Sequence, residues 1–194
     1  MILVPQLKLA FMHVPKTGGS SITAALMEHL PDLGGEVGSL GWQCKFHRGY
    51  MHTPYSQLKW WNKPDGWRTF AVVREPFDRM HSYYVASGCA TGFTEWLKLA
   101  PEDQRYQVMP QAAYLSKDSE VAMDVIVRYE NLSEGLAELD IQLPEKRQLD
   151  NHRTREQMLA AYEAEPEAVD LVRSLSGRDF TEFGYSSVLE CLQP

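Results

Sequence analysis

Long hydrophobic runs are missing from this chain. Nowhere do its 194 residues reach the ~18–20 consecutive apolar residues of a membrane-spanning helix. The apolar opening stretch, MILVPQLKLAFMHV, carries Pro5 and Lys8 and lacks a small-residue cleavage site. It is therefore expected to be a first strand and not a signal peptide. Cysteine is scarce. Cys44, Cys89 and Cys191 are odd in number and widely spaced, which excludes a disulfide framework and fits a reducing compartment, with the cytosol as the simplest location. Basic charge is in deficit, with 19 Lys+Arg against 26 Asp+Glu and a net charge of -7, a poor balance for binding nucleic acid. Internal repeats, low-complexity tracts and long linkers are also absent. With 44% hydrophobic and 23% charged residues, the chain is expected to form one globular domain over residues 1–194.

What is present is an alternation of short apolar segments and helical patterns. Lys8–Val14 is expected to be a buried strand, stopped by Pro15. Ser20–Leu30 is expected to be a helix with Ile22, Ala25, Leu26 and Leu30 on one stripe, ended by Pro31. Pro31 to Gly41, with four glycines, is expected to be a surface loop. Thr69–Val73 is a second strand, with Pro76 opening the helix after it. Asp124–Tyr129 is a third strand, Asn131–Asp140 a helix, and Thr154–Leu175 an acidic helical tail. This order predicts an α/β fold with a central parallel sheet and helices on both faces. Ligands in such sheets bind at the carboxyl ends of the strands.

The first strand runs into PKTGGSS and then a helix. Backbone N–H groups at a helix start, together with the macrodipole, make an anion site. Gly18 and Gly19 permit close approach to the backbone. Thr17, Ser20 and Ser21 offer hydroxyl donors, and Lys16 adds a full charge. A plain strand-to-helix turn also uses Gly and Ser, but lysine and threonine beside the glycines favour phosphate. The triphosphate loop G-x-x-x-x-G-K-[ST] is not matched, because Lys16 precedes Gly18. The second strand ends TFAVVREP, placing Arg74 where a nucleoside-triphosphatase needs a metal-organising Asp. That pattern suits a nucleotide bound without Mg²⁺, with a second phosphate near Arg74. From Val37 to Arg74 there are six basic residues (Lys45, Arg48, Lys59, Lys63, Arg68, Arg74) against Asp65 alone, an environment for an anionic ligand or a solvated basic face.

At these two motifs the sequence resembles the sulfotransferases that use 3'-phosphoadenosine 5'-phosphosulfate. HVPKTGGSS, His13 to Ser21, is similar to the family's 5'-phosphosulfate loop. VVREPFDRMHSYY, Val72 to Tyr84, is similar to its 3'-phosphate motif, with Ser82 following Arg74 at the family's spacing. The style is that of the carbohydrate-type branch, which includes heparan sulfate 2-O-sulfotransferase. FHRGYMHTPYSQL, VMPQAAYL, DVIVRYENL and RDFTEFGYS also resemble family segments. The resemblance implies a P-loop-like three-layer sandwich and a metal-free donor site of Lys16, Thr17, Gly18, Gly19, Ser20, Ser21, Arg74 and Ser82. It implies adenosine 3',5'-bisphosphate as product, a hydroxylated small molecule or saccharide as acceptor, and Lys16 on the leaving oxygen. The chain is shorter than typical members, which speaks against a large polymer acceptor.

An acceptor hydroxyl must lose a proton, and histidine is the usual base near neutrality. Of His13, His29, His47, His52, His81 and His152, the resemblance favours His52. His47 is the second candidate or an acceptor contact, and Gln111 falls in a segment placed on the substrate side. His13 is read as structural, His29 as a helix-end residue, and His81 is undirected. Glu130 also falls in a family-like segment but receives no role. Asn151, His152 and Arg153 form a candidate late loop over the nucleotide. Cys44, His47 and His52 are too irregularly spaced for zinc and lack a fourth ligand. Trp42, Tyr50, Tyr55, Trp60, Trp61 and Trp67 are either core or stacking surface for an acceptor ring. Two other readings stand beside the enzyme: a non-catalytic adenosine 3',5'-bisphosphate binder, and a P-loop small-molecule kinase.

Overall fold

A computed structural model describes residues 1–28, 52–58, 62–88, 90–103, 108–143 and 154–189. The expected loop from Pro31 to Gly41 therefore lies outside the described residues. So do His29, Leu30, Trp42, Cys44, Lys45, His47, Arg48, Tyr50, Lys59, Trp60, Trp61, Cys89, Asn151, His152, Arg153 and Cys191. In chain order the elements are β1 (Ile2–Val4), β2 (Leu9–Met12), α1 (Gly19–Glu28), β3 (Arg68–Val73), α2 (Pro76–Ser87), α3 (Phe93–Asp103), α4 (Gln111–Leu115), β4 (Ser116–Lys117), β5 (Glu120–Val121), β6 (Val125–Arg128), α5 (Leu132–Ala137), α6 (Arg155–Ala164), α7 (Glu167–Leu175) and α8 (Gly177–Phe183). They form two compact units, Met1–Val73 with Tyr114–Arg147, and Arg74–Ala113 with Gln148–Pro194.

The first unit holds a four-stranded sheet in the order β1-β2-β3-β6. The apolar N-terminus makes two strands where one was expected. A 3-10 turn at Pro5–Leu7 and the left-handed Lys8 (φ 50) reverse the chain, so β1 pairs antiparallel with β2, Ile2 against Phe11. Proline supplies the turn because its fixed φ and missing N–H suit a strand end. β2 and β6 both run parallel to β3, with Phe11 opposite Phe70 and Val72 opposite Val127. The sheet is thus mostly parallel, with an antiparallel edge. Leu9, Phe11, Phe70, Val72 and Val127 pack in one cluster with Ile22, Ala25 and Leu26 of α1 and with Leu136 of α5. Among the described residues of this unit, α1 and α5 serve that one face. Ala10, Met12, Ala71 and Val73 alternate to the other side and are buried too, which is why LAFM and TFAVV carry no polar alternation.

Asp124 ties the start of β6 to that of β3. Its carboxylate accepts from the Thr69 N–H (2.6 Å), the Thr69 hydroxyl (2.7 Å) and Lys63 Nζ (2.7 Å). Burial works to raise its pKa, but these hydrogen bonds outweigh it and hold the carboxyl below its usual value. Lys63, one of the basic segment, is thereby paired.

The second unit is helical. Its core joins Phe77 and Met80 of α2 to Phe93, Trp96 and Leu97 of α3, Met158 and Tyr162 of α6, Ala168 and Val172 of α7, and Phe180 of α8. Helix α2 begins where expected, with Pro76 in its first turn and the Glu75 side chain accepting from the Asp78 N–H at 2.7 Å. The expected acidic helical tail from Thr154 consists of two helices. A capping box at Thr154 and Gln157 opens α6, and Pro166 separates it from α7 because proline removes a helix hydrogen bond. Glu165, at the break, accepts from the N–H groups of Phe93 (2.9 Å) and Thr94 (2.8 Å) at the start of α3. Those charge-assisted bonds, led by the one from Thr94, lower its pKa. No described helix is long and apolar enough to cross a membrane.

Candidate functional site

In the first unit, the loop between β2 and α1 is shaped by alternating backbone handedness. Lys16 (φ 67) and Gly18 (φ 80) have positive φ, with Thr17 between them. Alternation of this kind turns successive N–H groups towards one concavity suited to an anion. Thr17 is fully buried and its hydroxyl donates to the Val14 carbonyl at 2.9 Å. Its side chain therefore braces the loop, unlike the ligand-facing hydroxyl expected from the sequence. Ser20 is exposed, and Lys16 and Ser21 are half-buried. The two glycines are required for different reasons. A Cβ at Gly18 would approach Tyr129 Cε2 to 2.9 Å in a left-handed conformation, and one at Gly19 would collide with the ring of His13.

His13 is therefore the floor of this loop as well as the residue after β2. It is buried, its Nδ1 has no hydrogen-bond partner among the described residues, and its ring stacks on Phe11 at 5.6 Å. Burial first, and the neighbouring His52 second, push its pKa down to about 3, so it is neutral. His52, half-buried, meets it edge-on with ring centroids 4.7 Å apart. His52 Nδ1 lies 3.3 Å from the His13 carbonyl oxygen. A carbonyl only accepts, so Nδ1 is the donor of this contact. Sequence separation of 39 residues hid this pairing. A 3-10 turn at Tyr55–Gln57 follows His52 at once.

In the second unit, Arg74 directly precedes α2. Its Nε and Nη2 both contact Asp78 Oδ2 at 2.5 Å, and its Nη1 lies 3.5 Å from Ser82 Oγ. The eight-residue spacing thus brings Arg74 and Ser82 together. Asp78 was missed, although a carboxylate four residues after an arginine is a recognisable ion-pair spacing. Gln111 is fully buried. Its Oε1 accepts from the Arg74 N–H (2.9 Å), and its Nε2 donates to the Arg74 carbonyl (2.8 Å) and to Asp179 Oδ2 (3.2 Å). The substrate-side role expected for Gln111 gives way to an internal one, since its amide is spent on the backbone. Asp179 carried no signal in the sequence, being 68 residues away.

His81 is buried against Phe93 and Tyr84, and burial lowers its pKa; it belongs to the helical core. Tyr55 and Trp67 are half-buried, and Glu130 is exposed. Among the described residues, no three His, Cys, Asp or Glu side chains are grouped as a metal site.

In the first unit a loop of alternating backbone handedness thus follows a buried parallel strand, and in the second Arg74 reaches Ser82 on α2. The family model of the sulfotransferase family matches residues 1–186, and the chain belongs to that family. It is accordingly a transferase, and sulfuryl transfer to a hydroxyl is the reaction that family carries out. No curated protein and no solved structure matches the chain.

Proposed function

We propose that the chain moves a sulfuryl group from 3'-phosphoadenosine 5'-phosphosulfate to a hydroxyl of a sugar or small metabolite. The observation that carries this reading is the placement of His52, whose Nδ1 is held by the His13 carbonyl while the His13 ring packs under Gly19 of the Lys16–Ser21 loop. A base and an anion loop thus share one support. The loop fits a nucleotide's 5'-phosphosulfate: Lys16 and Gly18 supply the positive φ, and Gly19 admits no side chain.

The donor supplies an activated sulfur and a phosphate leaving group. The loop N–H groups, Ser20 and Ser21 hold its charged end, and the compact ammonium of Lys16 stabilises the leaving oxygen as the S–O bond breaks. Arg74 and Ser82 bind the 3'-phosphate, with Asp78 orienting the guanidinium. His52 Nε2 takes the acceptor proton as the new S–O bond forms. His47 remains a candidate acceptor contact. The three scattered thiols support a reducing compartment, the cytosol, as the setting of the reaction.

Calorimetry with adenosine 3',5'-bisphosphate tests this directly. Binding is expected in the presence of a chelator, tighter than that of AMP. Arg74→Ala should weaken the bisphosphate about tenfold or more and leave AMP nearly unchanged, because a charge-assisted hydrogen bond contributes ~1.5–3 kcal/mol. Loss of binding in chelator, or preference for ATP with Mg²⁺, would favour a kinase. Intact binding with no turnover towards any hydroxyl acceptor would favour a non-catalytic binder.

A further inference from the structure

We propose that Gln111 and Asp179 are positioning residues for Arg74, and that through its backbone they set the preference of the site for a 3'-phosphorylated nucleotide. The inference rests on the reading of Arg74 as the 3'-phosphate ligand. Arg74 is the residue immediately after β3, where regular strand pairing has stopped. Its N–H and C=O are both satisfied by one carboxamide, at 2.9 and 2.8 Å. A primary amide presents an acceptor and a donor side by side in one plane without charge. Two such contacts fix the rotation of the peptide groups flanking the Arg74 Cα. They therefore fix the direction in which its side chain leaves the backbone.

The amide is in turn held from behind. Asp179, on α8, is fully buried. Its Oδ2 accepts from Gln111 Nε2 at 3.2 Å, and its Oδ1 accepts from the Ala112 N–H at 2.8 Å. These partners settle which amide atom meets the Arg74 N–H and which its carbonyl, because a carboxylate accepts only from the nitrogen. On the far side, Asp78 and Ser82 receive the guanidinium. The connection runs from Asp179 to Gln111, to the Arg74 backbone, and out to the Ser82 hydroxyl. Gln111, with no exposed surface, acts through Arg74 and not on the nucleotide itself.

The test is the ratio of the dissociation constant for AMP to that for adenosine 3',5'-bisphosphate, measured on the full chain. Gln111→Met keeps the volume and removes both contacts. It is expected to lower the ratio about fivefold to tenfold, through weaker bisphosphate binding with AMP affinity unchanged. Asp179→Asn keeps one acceptor and should shift the ratio in the same direction by less. Thermal melting of the same samples reports stability separately. A lowered melting temperature with a wild-type ratio would make both residues merely structural and overturn the inference. If Gln111→Met does not fold, Asp179→Asn decides by the same criterion. A wild-type chain that shows no preference for the bisphosphate would instead remove the assignment of Arg74 on which the inference rests.

Discussion

His52 Nδ1 sits 3.3 Å from the backbone carbonyl of His13, and the two rings meet edge-on. The residue proposed to take a proton is thereby anchored to the end of the strand that launches the anion loop. The contact makes Nδ1 the donor, and Nε2 is the nitrogen proposed to take the proton. His13 cannot share this task, since burial keeps it neutral down to about pH 3 and its ring is committed to Gly19.

Removing the base should separate chemistry from binding. His52→Ala is expected to lose about 10²–10⁴-fold in turnover while adenosine 3',5'-bisphosphate binds within a few fold of wild type. The acidic limb of the rate profile should vanish with it. A larger loss in His47→Ala would exchange the two roles.

Lys16 should act on the transition state more than on the ground state. Lys16→Ala is expected to reduce kcat by a larger factor than it weakens nucleotide affinity, because charge on the bridging oxygen grows as the bond breaks. Lys16→Arg should recover only part, as a planar fork does not replace a compact ammonium. Equal losses in kcat and affinity would show uniform binding instead.

Gly19 and His13 should be energetically coupled. Gly19→Ala drives a methyl into the His13 ring and is expected to cost about 1–3 kcal/mol in denaturant unfolding. In a His13→Ala background, where the ring is gone, the same substitution should cost less by at least ~0.5 kcal/mol. Strict additivity would mean that the loop relaxes away from the ring.

Stability should fall on acidification from the neutral range. His13 takes up a proton near its ordinary 6.5 when unfolded but only near 3 when folded. Between those values the unfolded chain binds more protons, so stability is full above about pH 6.5 and declines as pH drops towards 3. His81, lowered by burial, adds to the same trend. Denaturation midpoints at pH 7.5 and 4.5 should therefore differ less in His13→Phe than in wild type. Parallel pH curves for the two proteins would contradict a buried neutral His13.

Much of the scaffold follows from local sequence. LAFM and TFAVV are short apolar runs without alternation, and only a strand covered on both sides tolerates that pattern. Ile22, Ala25 and Leu26 recur at helical spacing, and Pro76 marks a helix start by its fixed φ. The positive φ at Lys16 and Gly18 and the approach of Arg74 to Ser82 arise from conformation and spacing that lie within a few residues. What tertiary structure alone decided are pairings across long separations. The Pro5 turn folds the N-terminus back as an antiparallel edge, since a partner strand was within reach. His52 finds His13, and Glu165 caps α3. Asp179 reaches Gln111, which turns a residue expected near substrate into a clamp on Arg74. Each of these satisfies a backbone group or buried polar atom whose need arises only once the chain has folded around it, and no periodicity in the sequence records such a need.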